Sequence, residues 1–204
     1  AGWRFGERSR DVRLWIDDEI AVVRALDPRH LIVASYADVP WMFTQLRGTL
    51  RYDADVVAVS VYRRTYFRSP WYRGYVDLNR MGPVGPFSLR YQKRWAAMYD
   101  RELWIGELQA EPWPKTPGGL LQAAPEELAR TMSRQQLLRS WQEAADAGIS
   151  RAYLWGVEWL LHRRRQGLDL DVFELVRALI GARGRAPVTP RSRCSRGCRS
   201  RRLR

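Results

Sequence analysis

ELWIGELQAEPW, residues 102–113, sets a short apolar run, Leu103-Trp104-Ile105-Gly106, directly before a carboxylate, Glu107. An apolar run this short, bounded by charged residues, marks a strand buried on both faces, as in a parallel sheet. The expected strand is 102–107, with Glu107 at its C-terminal end. A second carboxylate, Glu111, follows beside Pro112 and Trp113. Proline has no N–H for a sheet ladder, which argues against regular strand around 111. Of the two acids, Glu107 is therefore the one a strand would hold in place. A fixed carboxylate with indole rings nearby suits chemistry at the anomeric carbon of a sugar.

Outward from this stretch, apolar patterning divides the chain into alternating helices and short strands. Val12, Trp15, Ile16, Ile20, Val23 and Leu26 recur at three- and four-residue steps, which predicts an amphipathic helix over 10–26 closed by Asp27-Pro28. HLIVASY predicts a buried strand at 31–35, and the valine-rich ADVVAVSVY a second at 54–62. A loop and a short helix are expected at 39–50. The connection 63–86, rich in Arg, Tyr, Trp, Pro and Gly, reads as a long binding loop or lid. Further helices are expected over 87–99, 125–147 and 170–181, and a fourth strand at 151–155. PWPKTPGG is broken by proline and glycine and reads as loop. Strand–helix alternation with continuous apolar strands indicates an α/β fold with a parallel sheet. A closed (β/α)8 barrel needs eight strands and about 250 residues, so four strands form either part of a barrel or a small open sheet.

The chain has 204 residues, enough for one sizeable domain. Ten Trp and nine Tyr exceed what a core of this size requires and favour a ligand that stacks on rings. No run reaches the eighteen or so apolar residues of a membrane span, so no membrane partner is expected. Nine arginines and no acid lie in 182–204, leaving about +4 of the net charge of +13 for the rest. That tail reads as a disordered Arg-rich segment, able to attract nucleic acid only non-specifically. Both cysteines, Cys194 and Cys198, sit in it as an isolated C-x3-C pair, a poor metal site. No metal or cofactor is expected, and cysteine usage leaves the compartment open. The chain starts at Ala1 with sequence that reads as mid-protein, so an incomplete upstream sequence is expected.

Four segments resemble, in order, strands five to eight of a clan-A glycoside hydrolase, the retaining (β/α)8 superfamily of cellulases, mannanases and β-galactosidases. DPRHLIVASY (27–36) is similar to the strand-five region and ADVVAVSVYRR (54–64) to strand six. ELWIGELQAEPW is similar to strand seven and AYLWGVEW (152–159) to strand eight. The resemblance covers residues 10–181 and implies the C-terminal half of such a barrel, about four parallel strands with outer helices, acting on an oligosaccharide or glycoside. It implies that Glu107 is the catalytic nucleophile, that Tyr62 donates a hydrogen bond to it, and that Trp155 floors the sugar subsite. The family's acid/base glutamate, set in Asn-Glu-Pro at the end of strand four, has no counterpart. Glu7 follows Phe5-Gly6 without a strand, and Ser35-Tyr36-Ala37-Asp38 offers no catalytic feature. The expected partner is accordingly the missing N-terminal half barrel, without which the chain is expected to be inactive.

Around this centre, Glu111 is placed to bind sugar hydroxyls, Trp113 and Trp159 as outer stacking platforms, and Glu158 on the rim. Arg63 and Arg64, just past Tyr62, reach a polar ligand or are solvated. His162, beside Arg163-Arg164-Arg165, and His30 lack partner motifs. A non-catalytic carbohydrate-binding protein with the same aromatic platform is the competing expectation.

Overall fold

The computed structural model describes residues 5–37, 43–78, 88–115, 119–168 and 170–183. The Arg-rich tail from 184, and parts of the expected loops at 38–42, 79–87 and 116–118, lie outside the described residues. In chain order the elements are α1 (Phe5–Leu26), β1 (Val33–Ala37), α2 (Phe43–Thr49), β2 (Val56–Val61), β3 (Arg64–Arg68), β4 (Arg73–Asp77) and α3 (Leu89–Met98). There follow β5 (Glu102–Gln109), α4 (Pro125–Thr131), α5 (Arg134–Asp146), β6 (Ala152–Trp155), α6 (Val157–Arg165) and α7 (Leu170–Arg183).

The four apolar runs pair side by side in the order β1-β2-β5-β6, every pair parallel. The protein is thus α/β with a four-stranded parallel sheet. Side chains alternate between the faces of a strand. On one face Tyr36, Val57, Val59, Val61, Leu103, Ile105 and Leu108 pack with Leu46, Leu89, Ala96 and Ala144 from α2, α3 and α5. Full burial of a Val or Leu side chain stabilises by about 1.5–3 kcal/mol, so this layer is the main driving force for the fold. The opposite face carries a smaller cluster, Val56, Ala58 and Trp104, with the Arg151 guanidinium 4.5 Å from the Trp104 ring. At its two edges that face is open: Val33 is 42% and Tyr153 53% exposed.

β5 does not stop at Glu107 as expected but continues to Gln109. The reason is a β-bulge. Val59 pairs with Ile105 and Ser60 with Glu107, so Gly106 is skipped in the ladder. An extra residue shifts the alternation by one. Leu103 and Ile105 face the helices, and after the bulge so does Leu108. Glu107 is thereby turned to the face of Ser60 and Trp104, where an unbulged strand would have aimed it at the helices. Glycine suits this position, since a Cβ there would lie 3.2 Å from Ala58 Cβ.

Other boundaries differ for local reasons. The first strand starts at Val33 rather than 31, because the Ile32 N–H is taken by the Asp55 carboxylate at 2.9 Å. The expected helix 125–147 is two helices. Met132 and Ser133 are extended, and Ser133 Oγ accepts the Gln136 N–H at 3.3 Å to cap α5. The expected lid 63–86 holds an antiparallel hairpin, β3–β4, with Arg68 opposite Arg73 and Tyr66 opposite Tyr75. α6 was not anticipated as a separate helix. α1 ends at Leu26 as expected but starts at Phe5 rather than 10, and it is tied to the sheet by Arg24 to Asp55 (3.2 Å) and by the Asp53 N–H to Asp17 (3.1 Å). Most of its expected apolar stripe stays uncovered, however: Val12, Trp15, Val23 and Leu26 are exposed, while Ile20 is buried.

Candidate functional site

The C-terminal ends of β1, β2, β5 and β6, together with the hairpin, enclose a cleft of about 920 Å³. Glu107, Tyr62, Trp113 and Trp155 all line it, with Tyr66 and Phe67 contributed by β3. Tyr62 follows β2 directly, and its hydroxyl donates to Glu107 Oε2 at 2.6 Å. Burial, and then this bond to Glu107, push the Tyr62 hydroxyl well above the ordinary tyrosine range, with a smaller contribution from the charge of Glu111. Tyr62 therefore stays a donor, fixing one carboxylate oxygen while the other keeps its own lone pairs.

Glu111 stands behind the cleft wall. Its Oε1 accepts the indole N–H of Trp155 at 2.9 Å and that of Trp113 at 3.1 Å. One oxygen thus sets the orientation of two rings whose faces remain accessible, Trp155 at 46% and Trp113 at 41%. Trp113 also leans on Tyr62, with ring centroids 4.6 Å apart. The close approach of Glu111 to β6 requires Gly156, which has φ of +96° and where a Cβ would lie 2.4 Å from Glu111 Cβ. Glu111 is placed here as an anchor for the indoles, not as a group expected to reach sugar hydroxyls.

Three sequence candidates lie elsewhere. Arg63 is 4% exposed and donates from Nε and Nη2 to the Glu143 carboxylate at 3.0 and 2.7 Å. It joins the start of the hairpin to α5, so the expectation of a ligand contact is corrected to a structural one. Trp159 is buried among Ala110, Leu128, Leu160 and the α7 residues Val172 and Phe173, so it is core and not a platform. Glu158 is exposed in the first turn of α6 and does not line the cleft. His30 binds Asp27 at 2.6 Å, and His162 lies by the Trp159 ring.

The sequence reading missed Tyr66 and Phe67. Their signal was available: Arg64-Thr65-Tyr66-Phe67-Arg68 and Arg73-Gly74-Tyr75-Val76-Asp77 flank Ser69-Pro70-Trp71-Tyr72, two strand-like runs around a proline turn. Ser69 Oγ accepts the N–H groups of Trp71 and Tyr72 at that turn. A second network steadies the hairpin. Tyr75 donates its hydroxyl to Glu127 (2.8 Å), and the Lys115 N–H reaches both Glu127 and the Tyr75 hydroxyl at 3.0 Å.

Among the described residues no group of three or more His, Cys, Asp or Glu could hold a metal ion, and no helix is long and apolar enough to cross a membrane. The chain's one asparagine, Asn79, is followed by Arg80, so no Asn-Glu-Pro occurs in the 204 residues. No protein-family model, curated protein or solved structure matches the chain.

Proposed function

We propose that this chain is the C-terminal half of a glycosidase-like (β/α)8 barrel whose Glu107 is a glycosyl-accepting nucleophile. The observation that carries the proposal is the 2.6 Å bond from Tyr62 to Glu107 in a cleft walled by Trp113 and Trp155. A retaining mechanism needs a carboxylate held against C1, a second carboxyl about 5–5.5 Å away to protonate the leaving group, and rings to seat the sugar. The first and third have candidates here. The strand order supports a barrel origin, because it runs without reversal and the helix-facing layer lies on one side. A doubly wound sheet reverses its order and carries helices on both faces.

In this reading the missing acid/base costs leaving-group protonation, commonly worth about 10²–10⁴-fold, so natural glycosides turn over only when an upstream half is supplied. A substrate with a leaving group that needs no proton bypasses the gap. The test is incubation with 2,4-dinitrophenyl 2-deoxy-2-fluoro-β-glycosides followed by intact-mass and peptide analysis. The expected result is dinitrophenolate release with one sugar esterified to Glu107, absent in Glu107→Gln. Labelling at another residue, or equal release from the Gln variant, rejects the nucleophile assignment.

The two accessible indole faces also favour a second reading, a non-catalytic oligosaccharide-binding protein. It predicts saturable binding that Trp155→Ala removes, with no ester formed at Glu107 even when the upstream half is present.

A further inference from the structure

A second basin of about 600 Å³ adjoins the cleft along the hairpin. The two share Thr65, Tyr66 and Trp113 in their linings, so the two cavities abut at these side chains. Its lining is different in kind: Arg68, Arg73 and Lys115 add three cations. Arg68 and Arg73 are register partners across the hairpin, and like charges directly opposite destabilise a strand pair. Among the described residues neither guanidinium has an ion pair. A charged counterweight beside Lys115 is Glu127, whose carboxylate already accepts from Tyr75 and from the Lys115 N–H and feels the Lys115 charge. That network fixes the loop at 115 against β4, so the basin is formed before any ligand arrives. Two exposed arginines held face to face beside aromatic rings are unfavourable alone and favourable around an anion.

We propose that the glycan crossing this cleft is acidic, with a carboxylate-bearing sugar unit seated between Arg68, Arg73 and Lys115. This rests on the reading of the main cleft as a sugar site and adds the substrate class. Each unit one or two sugars from Glu107 would stack against Tyr66 or Trp113 while its carboxylate meets the guanidinium pair.

The experiment compares binding of cellohexaose and of a β-1,4-linked glucuronate hexamer, which differs only at C6, to the full chain by calorimetry. Both are repeated in Arg68→Gln/Arg73→Gln and in Arg68→Lys/Arg73→Lys. The expected result is about tenfold tighter binding of the glucuronate, weakening as salt rises, retained in the Lys pair and lost in the Gln pair. Cellohexaose affinity should be unchanged by either pair, which also reports an intact fold. A glucuronate preference that survives the Gln pair places the attraction elsewhere, such as the Arg-rich tail, and overturns the proposal. Cellohexaose binding with no glucuronate preference overturns it too, while leaving the sugar cleft standing. Binding of neither hexamer removes the sugar cleft and this inference together.

Discussion

A carboxylate is a useful nucleophile only if its lone pairs are aimed, and in the role proposed for Glu107 the aim comes from the Tyr62 phenol. Hydrogen bonds to charged groups contribute about 1.5–3 kcal/mol, so Tyr62→Phe should slow labelling of Glu107 by about 10–100-fold without unfolding the sheet. Stopped-flow release of dinitrophenolate measures this. Because Tyr62 is raised above its unfolded value near 10, its stabilising effect is complete below that pH and is lost as pH climbs past it. Tyr75 is raised too, by burial and its bond to Glu127, so the ultraviolet phenolate titration should contain two late-ionising tyrosines, of which Tyr62→Phe removes one. Gly156→Ala would drive a Cβ into Glu111 and release both indoles. Affinity for cellohexaose should fall about tenfold or more, a loss of about 1.4 kcal/mol or more. Glu107, Tyr62 and Trp155 were legible in the sequence because each follows or ends an apolar run, where a strand delivers side chains to one rim. Arg63 and Trp159 were not, because an arginine beside a site and an arginine buried on a glutamate look alike in sequence. A tryptophan likewise serves a core or a platform equally well.

The hairpin and its two anchors form the next level. Arg63 is buried on Glu143, whose side chain is 32% exposed. Removing one partner of a buried pair costs about 3–5 kcal/mol. Glu143→Ala should cost somewhat less, about 2–4 kcal/mol, since water reaches Glu143, and urea denaturation would read it. The other anchor is sensitive to acid. The Lys115 N–H, and then the Tyr75 hydroxyl, hold the Glu127 carboxyl below its usual range. Its contribution is therefore present above the ordinary glutamate pKa and lost as pH falls below it. Protection factors of the amides within Arg64–Asp77, which divide out the intrinsic pH dependence of exchange, should fall on acidification, and Glu127→Gln should remove most of that fall. The strands VVAVSV and ELWIGELQ were readable because a buried parallel strand must be apolar on both faces. The hairpin was obscured because its arginines and its proline turn dominate the composition of 63–86. The break between α4 and α5 carries neither glycine nor proline, and Ser133 alone signals it as a cap.

At the largest scale the described residues leave apolar surface and sheet edges open. β1 and β6 are the two sheet edges, Val33 and Tyr153 are open beside them, and α1 turns Val12, Trp15, Val23 and Leu26 outward. Contiguous apolar surface and free strand edges promote association. The isolated chain should bind a hydrophobic dye and self-associate with concentration in sedimentation velocity, and Trp15→Ser/Val23→Ser should reduce both. If association is unaffected by that pair, the α1 stripe is not the surface responsible. These surfaces were only partly legible in the sequence. The period of α1 announced an apolar stripe, but periodicity carries no information on what covers it.

The skipped position in β5 makes the fate of Glu107 a matter of counting. Loss of the single codon for Gly106 would restore strict parity along the strand with Glu107 still opposite Ser60, whereas taking Gly106 into the ladder would rotate the acid toward the helices. Whether the carboxylate meets the cleft or the core therefore depends on one glycine staying outside the ladder, with every side chain around it unchanged.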